Sequence, residues 1–118
     1  AQIAAFKAVN AEIVTGNIAT PARTPRMMTL LKRDVFAKST DPDSQPNGFT
    51  GIALIERNMT DALLWSKAGW TSKTRHDAAY METAAGLKLA IVIFTENHAN
   101  ERDIIPAIAG SIIDAMKP

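Results

Sequence analysis

The sequence predicts an α+β fold in which an antiparallel sheet is packed by helices. Apolar residues recur at helical spacing through residues 1–60, whereas a strand-like alternation begins near Asp61 and a long amphipathic stretch closes the chain. Strands that follow one another without intervening helices are typical of an antiparallel meander. We therefore interpret the 118 residues as one partial domain, with a helical segment at 1–60 and three strands plus a helix at 61–118.

The first half predicts helices joined by loops. Residues 3–15 carry apolar side chains at helical spacing. Thr24 and Pro25 then predict the N-cap and first residue of a second helix, which the apolar pattern continues to about Lys38. Residues 41–48 are rich in Pro, Asp and Asn and predict a surface loop. A short helix is expected after this loop, bearing Phe49, Ile52, Ala53 and Ile55.

The second half predicts three consecutive strands. We expect the first at Ala62–Thr71, the second at Arg75–Glu82 and the third at Leu87–Thr95, with a tight turn at Ala84–Gly86 before the third. The third strand is apolar on both faces. It should therefore lie inside a sheet that helices cover on at least one side.

A final helix is predicted from about residue 100. Asn100 is a plausible cap, and Glu101 and Asp103 favour the positive end of the helix dipole. Pro106 fits only within the first turn, where its missing N–H is not needed. The helix carries an apolar stripe formed by Ile105, Ile108, Ile112 and Met116.

Composition excludes several function classes. The net charge is +1 and the basic residues are scattered, so the sequence predicts no nucleic-acid partner. Cysteine is absent, which excludes disulfides and thiol chemistry, and no run reaches the roughly 18 apolar residues of a membrane span. His76 and His98 lie far apart with no supporting carboxylate pattern, so we expect structural or surface roles for them and no metal or other cofactor.

Lys67-Ala68-Gly69-Trp70 is the most informative segment for function. Lys67 lies on an otherwise apolar strand, where a buried ammonium group without a partner would be costly. Gly69 falls on the same strand face and removes the side chain that would block a ligand or another backbone. The pair therefore predicts a strand that holds an anionic substrate against its own main chain.

Ordered matches make the chain resemble the C-terminal portion of a serine β-lactamase, of the class A-like kind shared with penicillin-binding proteins. Thr24–Leu31 is similar to the helix start of these enzymes, in which Thr-Pro-Arg is followed by Met and then by Leu-Leu, and Trp65–Thr71 resembles the strand that bears their Lys-Thr/Ser-Gly box. Arg75–Tyr80 looks like the strand that follows. Leu89–Thr95 and the helix after it match the end of the fold. The resemblance covers roughly residues 20–116 and implies a β-lactamase-like domain without its N-terminal strands.

The resemblance implies catalytic roles for two residues. Lys67 would lie beside the catalytic serine, where it favours anion binding and helps proton transfer. The backbone N–H of Trp70 would be one donor of the oxyanion hole. Gly69 would let the substrate backbone approach.

The resemblance also implies a set of substrate contacts around the box. Arg75 would bind a substrate carboxylate from the neighbouring strand, and Thr71 belongs to the same box strand. Ala68 departs from the family pattern because Thr or Ser is usual there, and the hydroxyl that holds the substrate carboxylate is missing. A substrate with a differently placed acid, or very weak lactam hydrolysis, is compatible with this change.

The chain contains no Ser-x-x-Lys, the sequence that supplies the nucleophile in the family. We therefore expect a preceding segment or a second chain to carry it, a small β-lactam-like substrate, and a bacterial protein in the periplasm or outside the cell. Two alternatives stay open. One is a non-catalytic member of the fold that binds ligands or cell wall, and the other is a stand-alone α+β interaction domain.

Overall fold

A computed structural model describes residues 20–37 and 48–117. Its described part contains a four-stranded antiparallel sheet in the order β1-β2-β3-β4, which confirms the predicted α+β class. The helix predicted at 3–15 and most of the predicted loop at 41–48 lie outside the described residues. The elements are α1 (Thr24–Leu31), β1 (Lys32–Arg33), α2 (Thr50–Glu56), β2 (Leu63–Trp70), β3 (Thr74–Glu82), β4 (Lys88–Glu96) and α3 (Ile104–Met116).

The three long strands form the predicted meander, and their ends agree with the sequence pattern to within one residue. Strands β2 and β3 pair from Leu63↔Glu82 to Trp70↔Arg75, and β3 pairs with β4 along its whole length. The turn before β4 contains Gly86 at a φ of 91°, a backbone conformation that side chains with a Cβ rarely adopt.

One face of the sheet is covered by α2 and α3, and we call it the covered face. Its core includes Leu64, Met81, Ile91 and Ile93 from the strands, and Leu54, Ile105, Ala109 and Ile113 from the two helices. Removal of this apolar surface from water is the main contribution to the stability of the fold. The opposite face, which we call the open face, has no helix of α2 or α3 against it.

The sheet differs from the sequence prediction in two ways. Strand β4 was expected inside the sheet, but among the described residues it is an outer strand. It is buried on the covered face and only half-buried on the open face, where Val92 and Phe94 lie. A fourth strand, β1, was not predicted, because its two residues, Lys32 and Arg33, are too few to show a period.

The same short strand explains why α1 ends early. The apolar pattern predicted a helix as far as Lys38, yet the helix stops at Leu31, and Lys32 adopts extended geometry with φ −63° and ψ 135°. Pairing of β1 with β2 therefore overrides the helical spacing of the residues that follow. The predicted cap is also shifted by one residue, because Arg23 is the N-cap and Thr24 is the first helical residue.

The final helix begins later than its sequence signals indicated. It starts at Ile104 with Asp103 as N-cap, so the prediction of Asn100 as cap is wrong. Pro106 is the third residue of the helix and lies in the first turn, as predicted.

A close approach joins α3 to the end of α2. The Arg57 guanidinium makes two hydrogen bonds of 2.8 Å to the Asp114 carboxylate, and it crosses directly over Gly110. A Cβ on Gly110 would lie 2.5 Å from Nη2 of Arg57, so the glycine is what gives the guanidinium room. This ion pair holds the end of α2 against α3. It thereby also fixes the start of the connection from α2 to β2.

Candidate functional site

The box strand β2 divides its side chains between the two faces of the sheet. Lys67 and Gly69 point to the open face, whereas Ala68 and Trp70 belong to the covered face, because successive residues of a strand alternate. Lys67 is exposed, and its ammonium group donates a hydrogen bond to the carbonyl of Ala68. The desolvation that the sequence suggested for this lysine is therefore absent, and its charge is available to a ligand.

Part of β2 has a backbone edge that the described strands do not cover. Strand β1 pairs only with Leu64 and Trp65, so no described strand pairs with the end of β2 on this side, and we call the backbone edge at Trp70 the open edge. The carbonyl of Ser66 accepts a hydrogen bond of 2.7 Å from Arg33 on this side, and that of Ala68 accepts the bond from Lys67. In an antiparallel pair, alternate residues direct both backbone groups to the same side. The N–H of Trp70 therefore points to the open edge.

Within the described part of the chain, nothing requires glycine at position 69. A Cβ built on it would lie 3.6 Å from the Cβ of His76, which is ordinary van der Waals contact. Among the glycines of the described residues, positive φ occurs at Gly86 and not at Gly69. The described residues therefore leave room for a methyl group at position 69.

Arg75 lies on the covered face and away from solvent. Its side chain is 0% exposed, and it donates hydrogen bonds to the carbonyls of Gly48, at 2.9 Å, and Ala99, at 3.3 Å. Its guanidinium also packs 4.3 Å from the ring centroid of Phe49. This burial does not fit the predicted contact between Arg75 and a substrate carboxylate. Sequence reasoning placed it there because the pairing of Arg75 with Trp70, which fixes its face, was not known.

The side chain of Thr71 organises the β2–β3 turn. Its hydroxyl lies 2.7 Å from the hydroxyl of Thr74 and accepts hydrogen bonds from the backbone N–H groups of Lys73, at 3.2 Å, and Thr74, at 3.0 Å. The backbone N–H of Thr71 donates to the carbonyl of Thr74. These bonds hold the end of β2 and the turn that follows it.

His76, which the sequence predicted to have a structural or surface role, is a neighbour of the box. It lies directly opposite Gly69 on the open face. Its Nδ1 accepts a hydrogen bond of 3.2 Å from the backbone N–H of Thr95, and its ring packs 4.9 Å from that of Phe94. The neutral imidazole therefore carries its proton on Nε2. The hairpin register is the signal that would have placed His76 beside the box.

A second aromatic pair lies further along the open face. The rings of Trp65 and Tyr80 are 5.6 Å apart, and the Tyr80 hydroxyl donates a 2.7 Å hydrogen bond to Glu82. This hydrogen bond, with smaller contributions from burial and the Glu82 charge, raises the pKa of Tyr80 to about 12. The phenol therefore stays protonated at neutral pH and cannot act as a general base there.

A buried carboxyl group lies behind the box. Asp77 is opposite Ala68, is 2% exposed, and accepts a 3.0 Å hydrogen bond from the N–H of Thr50, the first residue of α2. Burial raises the pKa of Asp77, while the Thr50 hydrogen bonds and the charge of Arg33 oppose that change. Asp77 thus joins the start of α2 to the sheet at the level of the box.

Within residues 20–37 and 48–117, no group of three or more His, Asp or Glu side chains could hold a metal ion. None of the helices described is both long and apolar enough to cross a membrane.

Comparisons with known proteins agree with this arrangement. The profile of a family described as the beta-lactamase enzyme family matches residues 4–116. The chain is also similar to the crystal structure of a beta-lactamase from Sphaerobacter thermophilus DSM 20745, with 23% identity and a TM-score of 0.59. The match covers 90% of this chain and 36% of that one, so this chain spans about a third of its length. Among curated proteins, none matches significantly. The resemblance seen in the sequence is thereby confirmed.

Proposed function

This chain belongs to the beta-lactamase enzyme family, and from this premise we propose that it is the C-terminal part of a serine acyl hydrolase. The proposed substrates are β-lactams or related amides and esters. The nucleophilic serine, within Ser-x-x-Lys, comes from a segment outside these 118 residues.

The proposed reaction has two stages. The serine oxygen attacks the substrate carbonyl while its proton passes to a base, and collapse of the tetrahedral intermediate breaks the C–N or C–O bond and leaves an acyl-enzyme. An activated water then attacks the same carbonyl, and the serine leaves with a proton. The intermediate carries a negative oxygen in both stages, so a fixed N–H donor and a nearby cation lower both barriers.

The main support for this proposal is that β2 presents a backbone N–H donor and a cation close to each other, the two groups that stabilise a negative oxygen. The N–H of Trp70 is directed to the open edge, and Lys67 presents its ammonium group on the open face three residues away. Gly69 lies between them, and none of the described residues would clash with a Cβ at that position. A serine placed against the open face would thus have an oxyanion donor and a positive charge within reach.

The residue at position 68 bears on which substrates the proposed enzyme prefers. The Ala68 side chain offers no hydroxyl to a substrate carboxylate. Arg75, the other candidate for that contact, is buried with its hydrogen bonds directed to main-chain carbonyls. The proposed enzyme therefore turns over penicillin-like acids slowly, relative to amides or esters without that carboxylate.

A second candidate function is a non-catalytic binding protein of the same fold. Ala68 and the absence of Ser-x-x-Lys from this chain favour it. It would keep the open edge as a ligand site, but no covalent product would form.

Intact-mass spectrometry of the complete protein that carries this chain separates the two. After incubation with a reactive β-lactam under denaturing quench, the hydrolase gains the mass of the opened lactam on one serine. The adduct must disappear when the serine of the preceding Ser-x-x-Lys is replaced by alanine. A complete protein that gains no mass from lactams or activated esters would contradict the acyl-enzyme proposal and leave the binding protein.

We also propose that the complete protein is exported to the periplasm or the medium, in keeping with its family. Fractionation of the native producing cells, with a cytosolic enzyme as control, tests this proposal. Recovery of the protein with the cytosolic marker would contradict it.

A further inference from the structure

We infer that the side chain of Trp70 is a stacking platform for a flat aromatic group of the substrate. That the ligand is a substrate depends on the function proposed above. Binding of an aromatic group to Trp70 is tested without any reaction, so the platform and the proposed function can fail separately.

Trp70 packs beside a buried pair formed by Phe49 and Arg75. Phe49 is only 2% exposed, and the Arg75 guanidinium lies 4.3 Å from its ring centroid. The guanidinium carbon also lies 5.5 Å from the centroid of the Trp70 ring. The exposed indole is therefore supported from the protein side by two buried side chains.

A hydrogen bond fixes the indole in its plane as well. Its Nε1–H donates to the carbonyl of Ala99 at 3.0 Å, and Arg75 donates to the same carbonyl at 3.3 Å. Trp70 is nevertheless 51% exposed. A rigid, exposed aromatic surface loses little conformational entropy when a ligand covers it, which is why such residues contribute strongly to recognition.

The charge beside the ring selects the kind of ligand. The Arg75 guanidinium lies 5.5 Å from the indole centroid, so its charge would repel a second cation bound to the same ring. An uncharged aromatic ring fits the exposed part of the indole, in offset or tilted geometry. The inference therefore concerns aryl and heteroaryl groups, and it does not extend to quaternary ammonium groups.

A polar cleft next to the platform defines what the aryl group would carry. The cleft has a volume of about 260 Å³, and Ala99, which fixes the indole, is part of its wall. Its other lining residues include Ser72, Lys73, Asn97 and Asn100. These side chains offer hydroxyl, ammonium and amide groups, so a ring with a hydrogen-bonding substituent fits better than a plain phenyl ring.

The platform is close to the reacting group by covalent geometry. The indole and the N–H at the open edge belong to the same residue. An acyl group whose carbonyl oxygen accepts from that N–H therefore has its substituents within a few ångströms of the indole. Lys67 lies on the other face of the strand, so a bound substrate would have the cation on one side and the platform on the other.

A matched pair of probes tests the inference without any hydrolysis. We would titrate the complete, 15N-labelled protein with N-(4-hydroxyphenylacetyl)glycine and with its saturated analogue, N-(4-hydroxycyclohexylacetyl)glycine. The expected result is a large shift of the Trp70 indole resonance by the aromatic probe, with the Trp65 resonance unmoved. The aromatic probe should bind about threefold to tenfold more tightly than the saturated one, which is the range for an aromatic pair.

Two substitutions complete the test. Trp70→Phe keeps an aromatic ring and should retain most of the preference, whereas Trp70→Leu should abolish it. Trp65→Phe is the matched control and should leave both affinities unchanged. Equal affinities of the two probes, or an unchanged preference in a folded Trp70→Leu variant, would overturn the platform. An intact preference in a protein that never forms an acyl-enzyme would retain the platform and reject the hydrolase.

Discussion

The covered face and the open face of the sheet differ in whether their polar side chains are buried or exposed, although both faces are formed by alternate residues of the same strands. On the covered face, Arg75 and Asp77 are buried and hydrogen-bonded to the main chain at Gly48, Ala99 and Thr50. On the open face, Lys67 is exposed and Gly69 has space beside it. The covered face thus fixes the position of the box strand, and the open face keeps reactive groups available. Substitutions on the two faces should therefore affect different quantities.

The largest effect is expected for Lys67→Ala, measured as the rate of adduct formation by time-resolved intact-mass spectrometry of the complete protein. Loss of the cation should slow acylation about 100-fold or more, the size found for single groups that stabilise a transition state. Because Lys67 is exposed, the free energy of unfolding should change by less than about 0.5 kcal/mol. An acylation rate within threefold of the unsubstituted protein would remove Lys67 from the site.

Arg75→Met should have the converse effect. It removes one hydrogen-bond donor from each of the carbonyls of Gly48 and Ala99 and the cation that contacts the rings of Phe49 and Trp70, at a cost of about 3 kcal/mol in unfolding free energy. Urea unfolding measures the change. Lys73→Met, at an exposed lysine, is the matched control and should stay within about 0.5 kcal/mol. A fully stable Arg75→Met protein would show that the covered face does not depend on this residue.

Gly69→Ala separates ligand approach from folding. The added methyl group meets His76 at ordinary contact distance, so stability should change by less than about 0.5 kcal/mol. The same methyl group projects from the open face beside the Trp70 N–H, and acylation should fall about tenfold, as for a misplaced substrate. Thermal unfolding and the acylation rate are to be measured on one preparation. Marked destabilisation would mean that the glycine serves the fold.

The smallest effect concerns pH. Burial raises the pKa of Asp77 in the folded protein, so its contribution to stability is complete below the unfolded pKa of about 4 and is lost as pH rises through the folded value. Among the described groups, the charge of Arg33 favours the ionised form of Asp77. Asp77→Asn cannot ionise, so the stability of this variant relative to the unsubstituted protein should rise as the pH increases above about 4, as measured by urea unfolding at several pH values. Asp34→Asn, at an exposed position, is the control; identical pH profiles for the Asp77 variant and the parent would contradict the assignment.

The sequence was sufficient for features that repeat along the chain. The alternation of β2, β3 and β4 and the apolar stripe of α3 gave the meander and the closing helix, because each pattern spans several periods. Strand β1 could not be predicted, since two residues carry no period and its pairing partner is more than 30 residues away. Pairing with β2 also ended α1 before its apolar pattern did.

The candidate site shows the same difference. The sequence was enough to place Lys67, Gly69 and Trp70 on one strand and to match them to a family box, and their roles in a site stay predictions. The β2–β3 register decides on which face of the sheet Arg75 lies and places His76 opposite Gly69. The burial of Arg75 depends on its contacts with Phe49 and with the loop at Ala99. These are contacts between segments distant in sequence, which a pattern along one strand does not contain.

We propose that the open edge of β2 holds the substrate carbonyl, and a crystal structure of the complete protein with a trapped β-lactam acyl group would show whether it does. We expect the acyl carbonyl oxygen about 2.7–3.1 Å from the Trp70 backbone nitrogen, with the Lys67 ammonium on the serine side of the acyl group. An acyl group bound elsewhere, with its carbonyl oxygen out of reach of the Trp70 N–H, would rule out this position.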